Sequence, residues 1–248
     1  TLAQRAQDSA MLVAAQAALG RTLFFQGTVA SAHTYLAQGI ALYDLHQHHA
    51  SVFRHGEDAG VVCHSFAAWA LWYRGYPDQG LTRNDEAVTL AQQSVHPYSL
   101  AFALTCAAQF HQLRREGRAV QACAEAVLSL AREQGFPLWV VIGGILRGWA
   151  RAHQGQAQEG IAQITQGLRA LQATGVETTR SYYLGFLAEA HSVIGQPEVG
   201  LRALGEALTL VDTTGARFYE AEVYRLKGEL LLQQSSDNQA EAETCFHR

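Results

Sequence analysis

Apolar residues recur along the chain at the spacing of amphipathic helices, and short turns that contain glycine interrupt them. The turn glycines are Gly27, Gly75, Gly117, Gly155 and Gly195. They follow one another at intervals of about 40 residues, the first interval being the longest, and a stretch of about four helical turns precedes and follows each of them. Glycine in the left-handed region commonly ends one helix, so that an antiparallel partner begins at once. The pattern therefore predicts a repeat made of helix, glycine turn and helix.

Six such repeats fit within one helical domain of residues 1–248. Their expected bounds are roughly 5–45, 58–94, 98–134, 137–173, 177–213 and 216–248, with the sixth truncated. The chain starts at Thr1 without a methionine and stops at Arg248 inside an expected helix. We therefore expect it to be a fragment of a larger protein.

The stretch from Ser181 to Asp212 is the clearest copy, and it resembles a tetratricopeptide repeat (TPR). The small and bulky residues of that family's two helices fall on Leu184, Leu187, Ala188, His191, Gly195, Gly200, Leu204 and Ala207. Repeats here average about 40 residues, against the 34 of the standard TPR. The resemblance implies an all-α fold, a right-handed α-α superhelix (TPR-like solenoid) of about six antiparallel helix pairs.

A second resemblance concerns whole phrases such as GYPDQGL, HQLRREG and RFYEAEVYRLKGELLL. They are similar to the TPR-rich C-terminal regions of large bacterial multidomain proteins that carry a class III adenylate/guanylate cyclase domain and a predicted ATPase domain upstream. This resemblance implies a cytoplasmic regulatory or sensor module in signal transduction.

In TPR proteins the first helix of each pair lines a concave groove, and the family's offsets transfer to polar and aromatic residues here. The resemblance implies a peptide or ligand groove formed by Arg21, Phe24, Ser65, Trp69, Trp72, Tyr73, His111, Arg114, Arg115, Trp149, His153, Tyr182, Glu189, Ser192, Glu222, Arg225 and Glu229. Aromatic and arginine side chains are favoured at binding hot spots. The alternative is that half or more of the Trp and Phe side chains belong to the core between helices.

The charge of this set changes sign along the chain. Arginines make the first half basic and three glutamates make the second half acidic, which suits a dipolar or extended peptide. The chain has a single lysine, Lys227, so the lysine and asparagine clamp of chaperone-binding TPR domains is missing. We do not expect chaperone-tail binding.

Composition narrows the partners. With 48% hydrophobic and 16% charged residues the chain can bury a sizeable core. A net charge of -4 leaves no basic field for nucleic acid or for an anionic membrane, and no apolar run reaches the roughly 20 residues of a membrane span. Cys63, Cys106, Cys123 and Cys245 are far apart and are expected to be reduced core thiols.

Known catalytic motifs are missing, because no P-loop, G-x-G-x-x-G, G-x-S-x-G or H-E-x-x-H occurs. We expect no cofactor and no enzyme activity in this chain. His46, His48, His49 and His55 form a cluster in the longest connection between repeats. A divalent metal site there is one interpretation, and an exposed polar loop is the other.

The leading hypothesis is a non-catalytic scaffold that binds a protein or peptide segment, including a neighbouring domain of its own chain. The alternative is a small-molecule sensor whose ligand lies between Trp69, Trp72 and Trp149. The apolar faces of the terminal repeats would also support a homodimer.

Overall fold

The computed structural model describes residues 8–48, 52 and 56–248, and the regular secondary structure among them is helical. In chain order the helices are α1 (Ser9–Phe25), α2 (Val29–Leu42), α3 (Ala59–Tyr73), α4 (Pro77–Gln93), α5 (Pro97–Leu113), α6 (Gly117–Gln134), α7 (Pro137–His153), α8 (Ala157–Ala173), α9 (Arg180–Val193), α10 (Pro197–Thr214), α11 (Glu220–Gln234) and α12 (Gln239–Phe246). The predicted all-α fold of antiparallel helix pairs is confirmed.

Two compact units divide the chain. Unit 1 comprises residues 1–115 and 129–139, and unit 2 comprises residues 116–128 and 140–248. Each is described by itself below.

The helix starts follow from the sequence. All four prolines of the chain stand at the first position of a helix, at Pro77, Pro97, Pro137 and Pro197. Proline is favoured there because its missing N–H would have no partner in the helix and its φ is already helical. In α3 a side chain caps the helix instead, since the Asp58 carboxylate accepts the N–H groups of Gly60 and Val61.

Left-handed residues end the helices with unusual regularity. Within the pairs they are Gly27, Gly75, Arg115, Gly155 and Gly195, and between the pairs they are Gly56, Val95, Gly135, Gly175 and Gly215. From Gly75 to Gly215 they are evenly spaced, one for each helix, so that every second one marks the same point of the next pair. The longer first interval, from Gly27 to Gly75, accommodates the connection between Leu42 and Ala59.

The prediction that Gly117 forms the third turn is wrong. Gly117 is the first residue of α6, and the left-handed turn residue is Arg115, with φ of 61°. This conformation costs an L-residue roughly 1–2 kcal/mol, and Arg115 is exposed. With Arg115 as the third turn, the interval from Gly75 to this turn equals the interval from this turn to Gly155.

Small residues let the two helices of a pair approach closely. In unit 2, a Cβ atom on Gly160 would collide with the carbonyl oxygen of Gly148, and one on Gly167 would collide with Ile145. In unit 1 a Cβ on Gly20 would collide with the Leu36 side chain. These contacts explain why glycine occupies helix positions where it costs about 1 kcal/mol relative to alanine.

Candidate functional site

The groove residues expected in unit 1 surround an aromatic cluster formed by α1, α3 and α5. Phe24 and Trp69 are buried, with ring centroids 5.6 Å apart, and Tyr73 lies 5.8 Å from Phe24. The Trp69 indole N–H donates to the carbonyl oxygen of Cys106 at 3.2 Å. Ser65 is also buried. Most of these side chains therefore serve the core, and Tyr73 remains partly accessible.

Trp72 stands apart from this cluster. Its ring packs edge-on against Phe110 with centroids 6.1 Å apart, and part of its surface stays exposed. Of the predicted tryptophans it is the one that offers surface to a partner.

Arg21 carries a compensated charge. Its guanidinium donates to both carboxylate oxygens of Glu57, at 3.0 and 3.1 Å. The same carboxylate also acts on Tyr98, because burial raises the pKa of Tyr98 and the charge of Glu57 raises it further. The predicted basic character of the first repeats is weaker than the sequence suggested, because Glu57 belongs to the same neighbourhood.

The third repeat requires a different set of residues. The offsets that give His111, Arg114 and Arg115 start from Gly117, which is not the turn. Arg114 and Arg115 follow the last residue of α5, Leu113. Counted from Arg115, the positions that match Trp69 and Trp72 are Gln109 and Gln112, both of which are buried. A strict interval of forty residues, counted from Trp69 and Trp72, would have identified these two glutamines from the sequence.

Unit 2 contains the most organised polar site, a buried carboxylate on α9. Glu189 is only 6% exposed, and its Oε2 atom accepts the indole N–H of Trp149 at 2.7 Å. The Nε2 atom of His153 lies 3.2 Å from the same oxygen. The rings of Trp149 and His153 are 4.2 Å apart. All three residues were predicted for the groove, and the structure brings them together.

Trp149 is 1% exposed, so its role in this site is indirect. It supplies a hydrogen bond that compensates for the burial of Glu189, since a buried carboxylate without donors is costly. A ligand would meet His153 before it met the tryptophan, because His153 is only partly buried.

A second cluster of charges lies on α11. Arg225 donates from Nε and Nη2 to the two oxygens of Glu222, at 2.6 and 2.7 Å, and from Nη1 to Glu229. Hydrogen bonding to Glu222 raises the pKa of Arg225, and the charges of Glu222, Glu229 and Glu189 raise it further. We call Glu189, Glu222, Arg225 and Glu229 the acidic face of unit 2. Its three carboxylates outnumber its one guanidinium.

The remaining predicted residues of unit 2 differ in exposure. Tyr182 is buried, with its ring centroid 4.6 Å from Phe186 and 4.7 Å from Tyr219. Ser192 is partly exposed and donates to the Gln233 amide oxygen at 2.8 Å, while Gln233 donates back to the Ser192 carbonyl at 3.0 Å. Gln233 is a polar groove candidate that the sequence interpretation missed.

The histidine cluster is only partly described, because His49 and His55 lie outside the described residues. His46 is exposed and His48 is buried. His48 Nδ1 accepts the backbone N–H of Asp44 at 3.0 Å, and its Nε2 lies 3.0 Å from Ser9 Oγ. Both ring nitrogens therefore have protein partners. Within the described ranges no group of three metal-ligating side chains comes together.

The contact between Ser9 and His48 has the wrong polarity for nucleophilic catalysis. Since Nδ1 accepts a backbone N–H, the proton of the neutral ring must be on Nε2. That N–H donates to Ser9 Oγ, whereas a general base would have to accept the serine proton. The pair instead ties α1 to the segment that follows α2.

Three of the four thiols, Cys63, Cys106 and Cys245, are buried as expected, and Cys123 is only partly buried. Burial raises the pKa of the Cys63 thiol to about 12, helped by the charge of Asp58. Burial also raises the pKa of Cys106. A thiol that stays protonated at neutral pH is a poor nucleophile and a poor metal ligand.

A membrane-spanning helix is not found within the described ranges, where every helix is too short or too polar to cross a bilayer.

Comparisons with known proteins agree with a TPR-like fold. No family model matches the chain. An uncharacterized protein of Rhizobium meliloti (strain 1021) is 23% identical over 193 residues, which are 77% of this chain. The chain spans 19% of the length of that relative.

Among solved structures, a Rap protein complexed with competence and sporulation factor matches with a TM-score of 0.61 at 12% identity, covering 91% of this chain and 66% of that one. A STAND (signal transduction ATPase with numerous domains) protein from Pyrococcus horikoshii, which has a TPR sensor, matches with a TM-score of 0.55 at 13% identity, covering 93% of this chain and 34% of that one. A putative kinesin light chain of Podosopora anserina with TPR-like repeats matches with a TM-score of 0.52 at 18% identity, covering 83% and 97%. At these identities the likeness concerns the fold.

Proposed function

We propose that this chain is a non-catalytic scaffold that binds a protein or peptide segment and acts as a regulatory or sensor module of a larger cytoplasmic signalling protein. The observation that carries the proposal is the Glu189 site, where Trp149 and His153 both contact one buried carboxylate oxygen. Burying a charge is expensive, and a hydrophobic side chain at this position would give a simpler core. Retaining a hydrogen-bonded carboxylate beside a partly accessible histidine favours recognition over packing alone.

The structural neighbours support a peptide as the occupant. The Rap protein was solved with competence and sporulation factor, and the STAND protein has a TPR sensor. By analogy, the segment recognised by this chain would be extended and would contact the first helices of successive pairs.

The acidic face of unit 2 defines the chemistry of that segment. With three carboxylates against one guanidinium, it favours a segment that carries lysine or arginine. Arg21 in unit 1 is already paired with Glu57, so the proposal requires less of an acidic end in the peptide than the sequence alone suggested. A neighbouring domain of the same chain would satisfy the same chemistry.

The short share of the Rhizobium relative that the chain spans, 19%, supports a place within a larger protein. The resemblance to the regions that follow cyclase and ATPase domains supports signalling as the context. In this proposal the scaffold passes the state of its groove to those upstream domains.

A matched pair of charge reversals tests the proposal. Glu229→Lys changes the acidic face, and Glu243→Lys makes the same change of charge on α12, where the side chain is 71% exposed and lies outside that face. Binding of a library of extended peptides, with and without lysine, would be measured by fluorescence anisotropy. We expect lysine-containing members to bind the parent chain, to lose about tenfold in affinity to Glu229→Lys, and to bind Glu243→Lys unchanged.

Trp72→Ala tests unit 1 by itself in the same assay, and we expect it to weaken those peptides that contact unit 1. Loss of affinity as salt rises would support a charge-based contact. The proposal fails if no peptide and no upstream domain of the parent protein binds, or if the two lysine variants behave alike.

A further inference from the structure

Unit 1 contains a cleft of about 600 Å³ that none of the predicted groove residues lines. It lies between α2, α3 and α4. Volumes of this size are typical of sites for small molecules. The cleft is therefore separate from the surface on which the proposed function rests.

The floor of this cleft is apolar. Ile40 from α2 and Leu71 from α3 line it, together with the alanines at positions 37, 41 and 67. Ala67 and Leu71 are otherwise buried in the core of unit 1. The alanines leave room that larger side chains would fill, so an alkyl chain can lie against this floor.

The rim of the cleft is polar and includes His33, Arg83 and Glu86. Arg83 donates to Glu86 at 2.6 Å, and Nδ1 of His64 lies 3.2 Å from the same oxygen of Glu86. Glu86 is thus already shared between two nitrogen-containing partners. A second guanidinium, next to the cleft, bonds to other partners than Glu86.

That guanidinium belongs to Arg74, which is not itself one of the lining residues but contacts His33, which is. Among the described residues its partners are the ring nitrogen Nδ1 of His33, at 3.0 Å, and the face of the Tyr76 ring, 5.7 Å from the guanidinium carbon. Neither partner is an anion. Burial lowers the pKa of His33, and the charges of Arg74 and Arg83 lower it further.

We propose that the cleft between α2, α3 and α4 binds a small monocarboxylate with an apolar chain, whose carboxylate meets Arg74 and whose chain lies on Ile40 and Leu71. Guanidinium groups match the planar geometry of carboxylates, with which they form charge-assisted hydrogen bonds. One uncompensated guanidinium suits one negative charge, and Glu86 on the same rim disfavours a dianion. This ligand class differs from the peptide of the proposed function.

Three probes of different chemistry test the assignment by isothermal titration with the full chain. Octanoate combines the carboxylate with the chain, octylamine keeps the chain but reverses the charge, and acetate keeps only the carboxylate. We expect saturable binding of octanoate. The affinity for octylamine should be lower by at least about tenfold, the value of one charge-assisted hydrogen bond, and that for acetate should be lower by at least about tenfold because acetate buries no alkyl chain. Equal binding of octanoate and octylamine, or no binding of octanoate, overturns the proposal.

Two variants locate the site. Arg74→Gln removes the exposed guanidinium and should weaken octanoate binding about tenfold. Ala41→Phe fills the cleft from an exposed position and should abolish binding without disturbing the core. Arg202→Gln, at an exposed position in unit 2, is the matched control and should bind as the parent does. Melting temperatures without ligand show that each variant is folded, and unchanged binding by both cleft variants contradicts the assignment.

Discussion

Replacing Val95 by glycine should stabilise this protein. Val95 has φ of 50° and is 80% exposed. Its counterparts in the three following pairs are Gly135, Gly175 and Gly215, all left-handed. A β-branched residue in this conformation is an outlier, because its side chain crowds the following carbonyl.

The magnitude follows from two opposing terms. Relieving the left-handed strain should raise the free energy of unfolding by roughly 1–2 kcal/mol. The extra conformational freedom of glycine in the unfolded chain should lower it by about 0.4–1 kcal/mol. Little burial is lost, since the Val95 side chain is mostly in solvent. We expect a net gain of about 1 kcal/mol, which for a chain of this size is about 2–4 °C in melting temperature.

Urea unfolding followed by circular dichroism measures the effect. The midpoint should rise while the slope stays constant, as for a change in stability without a change in the exposed area. The reverse change, Gly135→Val, should cost at least as much as Val95→Gly gains. If Val95→Gly is neutral while Gly135→Val is tolerated, the turn conformation does not carry the energy assigned to it.

Three further predictions concern packing, the buried carboxylate and a thiol. Gly160→Ala should destabilise unit 2 by about 1–3 kcal/mol, because a Cβ there collides with α7. Gly205→Ala has open space around it and should stabilise α10 by about 1 kcal/mol. Thermal unfolding compares the two variants, and equal effects would contradict the packing argument. Glu189→Leu should lower the free energy of unfolding by about 1–3 kcal/mol, because it leaves the Trp149 N–H unsatisfied. Glu189→Gln keeps an acceptor and should lower it less. A shift in tryptophan fluorescence should accompany the loss, and equal losses for the two variants would point to a charge effect. Because the folded pKa of Cys63 is about 12 against 9.0 unfolded, its contribution to stability is present below pH 9 and is lost as pH rises towards 12; the fall measured in urea should be smaller in Cys63→Ala.

The helices could be predicted because their signals are local. Proline at the first position and glycine at the left-handed turn act within a few residues. The turn at Arg115 escaped this reasoning for an energetic reason: the left-handed penalty for arginine is small enough for the fold to overcome, while Gly117 two residues later imitates the signal. A strict interval between turns is a global property, and no single turn reveals it.

The sequence predicted which face of the helices carries the candidate site, but not how deeply its side chains are buried. Offsets within a repeat identified the side of the first helix on which Trp149 and Glu189 lie. Whether such a side chain is buried depends on the residue one repeat away, since these two partners are 40 positions apart in sequence. The pairing of Arg21 with Glu57 escaped for a similar reason, because Glu57 belongs to the connection outside the repeat pattern.

The regular spacing of the left-handed residues also limits how a gene for this chain can change in length. Loss of residues 116–155 would join Arg115 directly to Gln156, which precedes α8 just as Glu116 precedes α6. Each surviving helix would then follow a turn of the same kind as before. Loss of only half that length would put a second helix where a first helix belongs. Recombination between copies should therefore produce viable relatives whose lengths differ by whole helix pairs.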